Sequence, residues 1–167
     1  MSMIKTSLVL FLLLVLPACF GGRIHWREID TPPRAFQDVW TSILTAAERG
    51  GYDKDAATTD RGLRVFQSKW VNRVASGFGR SKRTRMRVEV ERLGELSFAV
   101  AQWQIRFHVA RQNVPDMSRV MAPQEEDWED NGQEVLAEDL FDNKLRWELG
   151  ATPQPTKIES GLARGLE

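Results

Sequence analysis

Phe36, Val39, Trp40, Ile43, Leu44 and Ala47 recur at i, i+3, i+4, i+7, i+8 and i+11, the spacing of one helical face. An amphipathic helix is predicted there. Thr31 is positioned to cap it, Pro32 or Pro33 would sit in its first turn, and Gly50-Gly51 would end it. The period then changes from about 3.6 to two. Thr84, Met86, Val88 and Val90 alternate with Arg83, Arg85, Arg87, Glu89 and Glu91, which predicts a strand with one dry and one wet face. Ala99, Ala101, Trp103, Ile105, Phe107 and Val109 alternate with Val100, Gln102, Gln104, Arg106 and His108 and predict its long antiparallel partner across Gly94-Glu95.

Two further stretches read as strands less regularly. Between Leu63 and Val74, Phe66, Ser68, Trp70 and Asn72 share one parity, while Leu63 and Val65 fall out of phase, and a bulge would reconcile them. Residues 52–59 would add a shorter strand, turned by Asp60-Arg61-Gly62. After Pro115 the pattern lapses until Leu136, Leu140, Asn143 and Trp147 fall on one helical face, flanked by Phe141 and Leu145, with Gly150 as the stop. Helix, three or four meandering strands, loop and helix predict a two-layer α+β domain over residues 34–149. Trp40, Trp70, Trp103 and Trp147 all fit core positions in that scheme.

The first residues obey a different rule. An apolar run of nine residues from Leu8 to Leu16 stands behind Lys5 and ahead of Pro17-Ala18-Cys19. A membrane-spanning helix needs about 20 apolar residues, so this length suits a cleaved targeting segment. The segment resembles a bacterial lipoprotein signal peptide ending in the lipobox cut by signal peptidase II. Leu16, Ala18 and Cys19 match the first, third and fourth lipobox positions, and Pro17 departs at the second. The resemblance implies that residues 1–18 are removed and that Cys19 becomes a lipidated first residue bearing acyl chains such as palmitate. It also implies an outer-membrane location facing the periplasm, because Phe20 rather than Asp stands after the cysteine. The alternative is an ordinary secretory signal cut elsewhere. Cys19 is the only cysteine of the 167 residues, so no disulfide is available, and lipidation accounts for an otherwise unexplained exported thiol. Residues 19–33, with Gly21-Gly22 and Pro32-Pro33, read as a tether, and the Pro- and Gly-broken residues 150–167 as a disordered tail.

Charge narrows the partners. With 23 basic and 23 acidic side chains the chain carries no net field toward nucleic acid. Its charges are segregated, however. Arg80, Lys82, Arg83, Arg85 and Arg87 lie within eight residues, and Glu125, Glu126, Asp127, Glu129 and Asp130 within six. Arg83, Arg85 and Arg87 would form a ladder of cations about 7 Å apart on one strand face. Such a ladder could meet another envelope protein or an anionic lipid, pair with the chain's own acidic run, or simply be solvated.

Catalytic signals are sparse. His25 and His108 are the only histidines, and no nucleophile elbow, phosphate-binding loop or dinucleotide fingerprint accompanies them. No enzyme and no cofactor are expected. Asp127, Glu129, Asn131, Gly132 and Glu138 fall at positions one, three, five, six and twelve of a pattern that resembles a calcium loop of the EF-hand type. Glu134 stands where an aliphatic belongs, and the plainer reading is an acidic loop at the start of the last helix. Trp128 beside it would be an exposed anchor. Finally, Val39-Trp40, Gly50-Gly51, Asp60-Arg61-Gly62 and Ser68-Lys69-Trp70 resemble, over residues 34–110, the helix-grip domains of the C-subunit lipoprotein of the outer-membrane β-barrel assembly machine. That resemblance implies a non-enzymatic scaffold or accessory lipoprotein. The alternative is an envelope enzyme or lipid-handling protein whose site carries no recognisable motif.

Overall fold

The structure is a computed structural model and describes residues 24–73, 81–94 and 100–151. Among these, the order is β1 (Arg27–Asp30), α1 (Phe36–Arg49), β2 (Val65–Gln67), β3 (Val71–Arg73), β4 (Lys82–Leu93), β5 (Gln102–Asn113), β6 (Glu129–Gln133) and α2 (Val135–Glu148). The strands form one antiparallel sheet and both helices share a core with it. The α+β class agrees with the sequence pattern, but the sheet holds six strands rather than three or four.

β4 and β5 form the centre, paired without a break from Lys82 opposite Asn113 to Leu93 opposite Gln102. Their alternation works as the sequence predicts. Met86, Val88, Val90, Trp103, Ile105, Phe107 and Val109 are buried on one face, and arginines, glutamates and glutamines occupy the other. Each outer edge is made of two short strands end to end. β2 and β3 line β4, while β1 and β6 line β5. Gln67 lies opposite Arg87 but Val71 opposite Thr84, so β4 advances one position fewer than its partner edge. This is a one-residue bulge, placed at Ser68–Lys69–Trp70 rather than before Phe66. Ser68 closes it, its Oγ accepting the Met86 amide at 2.9 Å. The bulge inverts the parity of the residues beyond it. Phe66 faces the core, whereas Trp70 turns to the outer face with Arg85.

α1 forms where the pattern places it. Val39, Trp40, Ile43, Ala46 and Ala47 are buried, and Phe36 packs on Trp40 and Trp103 with ring centroids 5.8 and 5.2 Å away. Burying each of the larger side chains is worth about 1.5–3 kcal/mol. The cap differs from expectation. Ala35 holds the N-cap position, both prolines precede the helix, and Thr31 instead bridges to β5, exchanging its amide and Oγ1 with the Trp103 carbonyl and amide. At the other end the left-handed residue is Gly51, with φ of 78°.

α2 occupies the predicted residues but presents the unpredicted face. Phe141 and Leu145 pack inward, with Phe107 4.9 Å from Phe141, while Leu136, Leu140 and Trp147 are exposed. Three acids of the helix are buried instead, and each has partners. Glu138 Oε1 accepts from the Val109 amide at 2.9 Å and from Gln133 Nε2 at 2.8 Å. Asp139 pairs with Arg27, and Asp142 with Arg146 at 2.8 Å. Other expectations shift as well. Residues 27–30 of the expected tether are β1, with Ile29 buried. Residues 52–59 contribute a single bridge, Lys54 to Ser68, rather than a strand. Leu63 is exposed on the Asp60–Val65 turn. Residues 152–167 of the expected tail lie outside the described residues, as does the signal segment.

Candidate partner-binding face

The outer face of the sheet collects the chain's charge. Arg83, Arg85 and Arg87 stand on it in a row, as the alternation of β4 requires, opposite Gln112, Ala110 and His108 of β5. None of the three guanidinium groups stands clear of the protein's own acids. Arg83 is only 6 % exposed. It is held between two indoles, 4.5 Å from the Trp70 ring centre and 4.7 Å from that of Trp128. Its edge donates to both carboxylate oxygens of Glu125 at 2.8 and 2.6 Å, and Nε donates to Gln112 at 2.7 Å. A desolvated guanidinium is tolerated only when its donors are met, and this one meets an acid, an amide and two π faces. Glu125, 79 % exposed, closes the row from the solvent side, and the hydrogen bond from Arg83 holds its carboxyl below the ordinary range.

Arg85 is fixed by the Ser68 carbonyl and Asp55 Oδ2, both at 3.1 Å. Arg87 donates to Glu89 at 2.8 Å and keeps the most open side chain of the row. Glu89 is shared with Arg106, whose Nη2 lies 2.6 Å from it. Partial burial pushes the Glu89 carboxyl up, but hydrogen bonds and charge from both arginines outweigh this and hold it below its usual value. Arg106 in turn sits 5.2 Å from the ring centre of Trp26, which also covers His108 edge-on at 4.5 Å. Burial, with Arg87 nearby, keeps the His108 imidazole below its ordinary pKa.

The acidic run lies back along this face. Glu125 reaches Arg83, Asp130 accepts from Gln112 at 2.7 Å, and Asp127 is bonded to Arg119 and to the Gln124 amide. Those contacts separate the calcium-like positions. Glu129 and Asn131 belong to β6, and Glu138 is turned into the protein toward Val109. Trp128 is half-buried over Arg83 rather than standing free. Trp70 likewise leaves the expected core for the arginine row, and Trp147 is exposed, while Trp40 and Trp103 are buried as expected. Trp26, Asp55 and Gln112 are not legible in the sequence as parts of this face. Trp26 arrives through the register of β1 on β5, Asp55 through the Lys54–Ser68 bridge and its amide's bond to the Gln67 carbonyl, and Gln112 through the β4–β5 register opposite Arg83.

A shallow depression lies between the end of α1 and the next segment, lined by Leu44, Glu48, Tyr52, Asp53, Lys54 and Phe66. It holds about 260 Å³, below the roughly 300–1,000 Å³ usual for small-molecule sites. Cys19, the proposed lipid attachment point, lies outside the described residues. No protein-family model matches this chain, and no match appears among curated proteins.

Proposed function

We propose that this protein is a bacterial envelope lipoprotein, anchored through acyl chains on Cys19 and acting by binding or scaffolding rather than by catalysis. One observation carries the reading: the sole cysteine stands directly after Leu16-Pro17-Ala18 at the end of a nine-residue apolar run. More than one acyl chain gives stable anchoring, at about 0.8 kcal/mol per buried methylene. The outer membrane, facing the periplasm, is the proposed location, because Phe20 comes after the cysteine. The likeness of residues 34–110 to helix-grip lipoprotein domains supports a scaffold or accessory role. The row Arg83, Arg85 and Arg87 is the surface proposed to take an anionic envelope partner, either an acidic protein or an anionic lipid. Such a partner would exchange ion pairs with Glu125 and Glu89, the acids now engaging Arg83 and Arg87. The alternative, an envelope enzyme or lipid-handling protein, draws no support from the shallow depression beside α1.

One experiment with three arms tests this. Wild type, Cys19→Ser and Arg87→Gln proteins are expressed in a bacterium, fractionated, and used for affinity capture from detergent-solubilised membranes. Cys19→Ser is expected to lose the lipid mass and leave the membrane fraction. Arg87→Gln is expected to stay anchored and keep its melting temperature, but to lose salt-sensitive capture. Membrane fractionation of Cys19→Ser equal to wild type would refute the anchor. Full capture by folded Arg87→Gln would retire the arginine row.

A further inference from the structure

α2 turns apolar side chains outward and acids inward. Leu136, Leu140 and Trp147, 43 %, 48 % and 71 % exposed, share one side of the helix with Asn143. Ordinary surface helices show the reverse. The acids that would keep this side wet are withdrawn, since Glu138, Asp139 and Asp142 are buried against Val109, Arg27 and Arg146.

The position of this side relative to the start of the domain decides what covers it. His25 is clasped to Gln133 at the entrance to α2, its amide donating to Gln133 Oε1 at 2.7 Å and its carbonyl accepting from Nε2 at 2.8 Å. Arg27 then reaches Glu138 at 3.7 Å and pairs with Asp139. The chain therefore enters the fold beside the first turns of α2. Exposed Ile24 and Val135 stand at that entrance. From Cys19 to Ile24 there are five residue steps, at most about 18 Å when fully extended. Leu136 to Trp147 spans about 17 Å of helix. An anchor of that reach holds the α2 side of the domain, rather than the far sheet edge, against the bilayer.

We propose that the outward side of α2, Leu136, Leu140 and Trp147 with Ile24 and Val135 at its head, lies in the interfacial layer of the phospholipid membrane that carries the Cys19 anchor. The proposal rests on the lipoprotein reading and adds an orientation to it. The chemistry suits a lipid surface. Aliphatic side chains enter the boundary of the acyl region, and an indole settles at head-group level. The buried acids leave no carboxylate between Leu136 and Trp147 to repel an anionic leaflet. The arginine row on the opposite side of the sheet is then left facing away from the bilayer, so in this orientation its anionic partner is an acidic protein rather than a lipid of the same membrane.

The test uses full-length protein purified from bacterial membranes and reconstituted into phosphatidylethanolamine–phosphatidylglycerol vesicles. Lipidated Cys19 has no free thiol, so Leu136→Cys, Leu140→Cys, Trp147→Cys and the control Leu63→Cys each take one environment-sensitive fluorophore. The intact mass of each sample reports lipidation. Blue-shifted emission, quenched by spin-labelled lipid at 136, 140 and 147 but not at 63, is the expected result. Water-like emission at all four positions of a lipidated protein would overturn the orientation and leave the anchor standing. Dry labels out of reach of quenching lipid, with thiol cross-links between copies at position 140, would overturn it in favour of a second copy of the chain. An unmodified Cys19 would overturn anchor and orientation together. Should a variant fail to fold, hydrogen exchange of the wild-type protein on and off vesicles replaces it. Slowed exchange across α2 on vesicles supports the proposal, and unchanged exchange overturns it.

Discussion

The two helices have the same length and share one core, yet they sort their side chains by opposite rules. α1 buries Val39, Trp40, Ile43, Ala46 and Ala47 and leaves Gln37, Asp38, Thr41, Glu48 and Arg49 to solvent. α2 buries Glu138, Asp139 and Asp142 beside Phe141 and Leu145 and leaves Leu136, Leu140 and Trp147 outside. The difference lies in what each helix meets. α1 lies over apolar β4 and β5 side chains, where an acid would be stranded. α2 lies beside Arg27 of β1 and the end of β6, where Glu138 caps the Val109 amide next to the point where the pairing of β5 with β6 shifts register. A carboxylate that finds an amide, a guanidinium and a glutamine can replace a leucine at such a place.

The sharpest way to break the comparison is truncation of its best-buried indole. Trp40→Ala should cost about 3–5 kcal/mol in urea denaturation, since it empties the centre of the core under α1. A loss below about 1 kcal/mol would mean that α1 does not seat as described. Glu138→Ala comes next. It takes the side-chain acceptor from the Val109 amide and one of two acceptors from Gln133 Nε2, at about 1–3 kcal/mol by the same measurement. A neutral result would show that the acid only happens to be buried.

A smaller effect separates two acids by the sign of their pH response. Burial raises the Glu138 carboxyl despite hydrogen bonds from Val109 and Gln133 and the charge of Arg27, whereas arginines hold Glu89 low against its own partial burial. The Glu138 contribution is full below the ordinary carboxyl pKa of about 4.3 and fades as pH rises through its higher folded value. The Glu89 contribution is full above the ordinary pKa and is lost as pH falls through its lower folded value. Melting temperatures across pH, with Glu138→Gln and Glu89→Gln each subtracted from wild type, should therefore give differences that slope downward for Glu138 and upward for Glu89. Matching slopes would refute the assignment. The smallest effect is expected at Trp147→Ala, within about 0.5 kcal/mol in water despite the size of the indole lost. A cost near that of Trp40 would place Trp147 in the core and reverse the orientation of α2.

The sequence reveals most where burial is two-sided or strictly alternating. α1, β4 and β5 are readable because each core position repeats with one period and nothing polar interrupts it. β1 has Ile29 as its only apolar residue, and β6, Glu-Asp-Asn-Gly-Gln, has none. Both are strands because the long edge of β5 offers them backbone partners, which no hydrophobic period announces. For α2 the leucine stripe is legible but its direction is not, because the partners of Glu138 and Asp139 come from Arg27, more than a hundred positions upstream, and from neighbouring strands, and only Asp142 is met within the helix, by Arg146. The arginine row is legible as a row. Its closure by Trp70 is not, because the bulge at Ser68–Lys69–Trp70 contains neither glycine nor proline and reverses the parity on which the reading of Trp70 relies.

That bulge, with the change from β1 to β6 across the sheet, also governs how copies of the molecule can coexist. Among the described residues, neither side of the sheet exposes a straight run of unpaired amides and carbonyls longer than a few residues, because each border strand stops and another begins. Lateral recruitment of a neighbour's strand needs a continuous template, and broken borders deny it. Under the proposed Cys19 anchor, which would confine copies to a two-dimensional layer at high local concentration, this would matter more than in dilute solution. Removing Lys69 would bring Phe66 and Val71 onto one uninterrupted register and give the sheet a long straight border. High local concentration would then favour fibre-like ribbons over separate molecules.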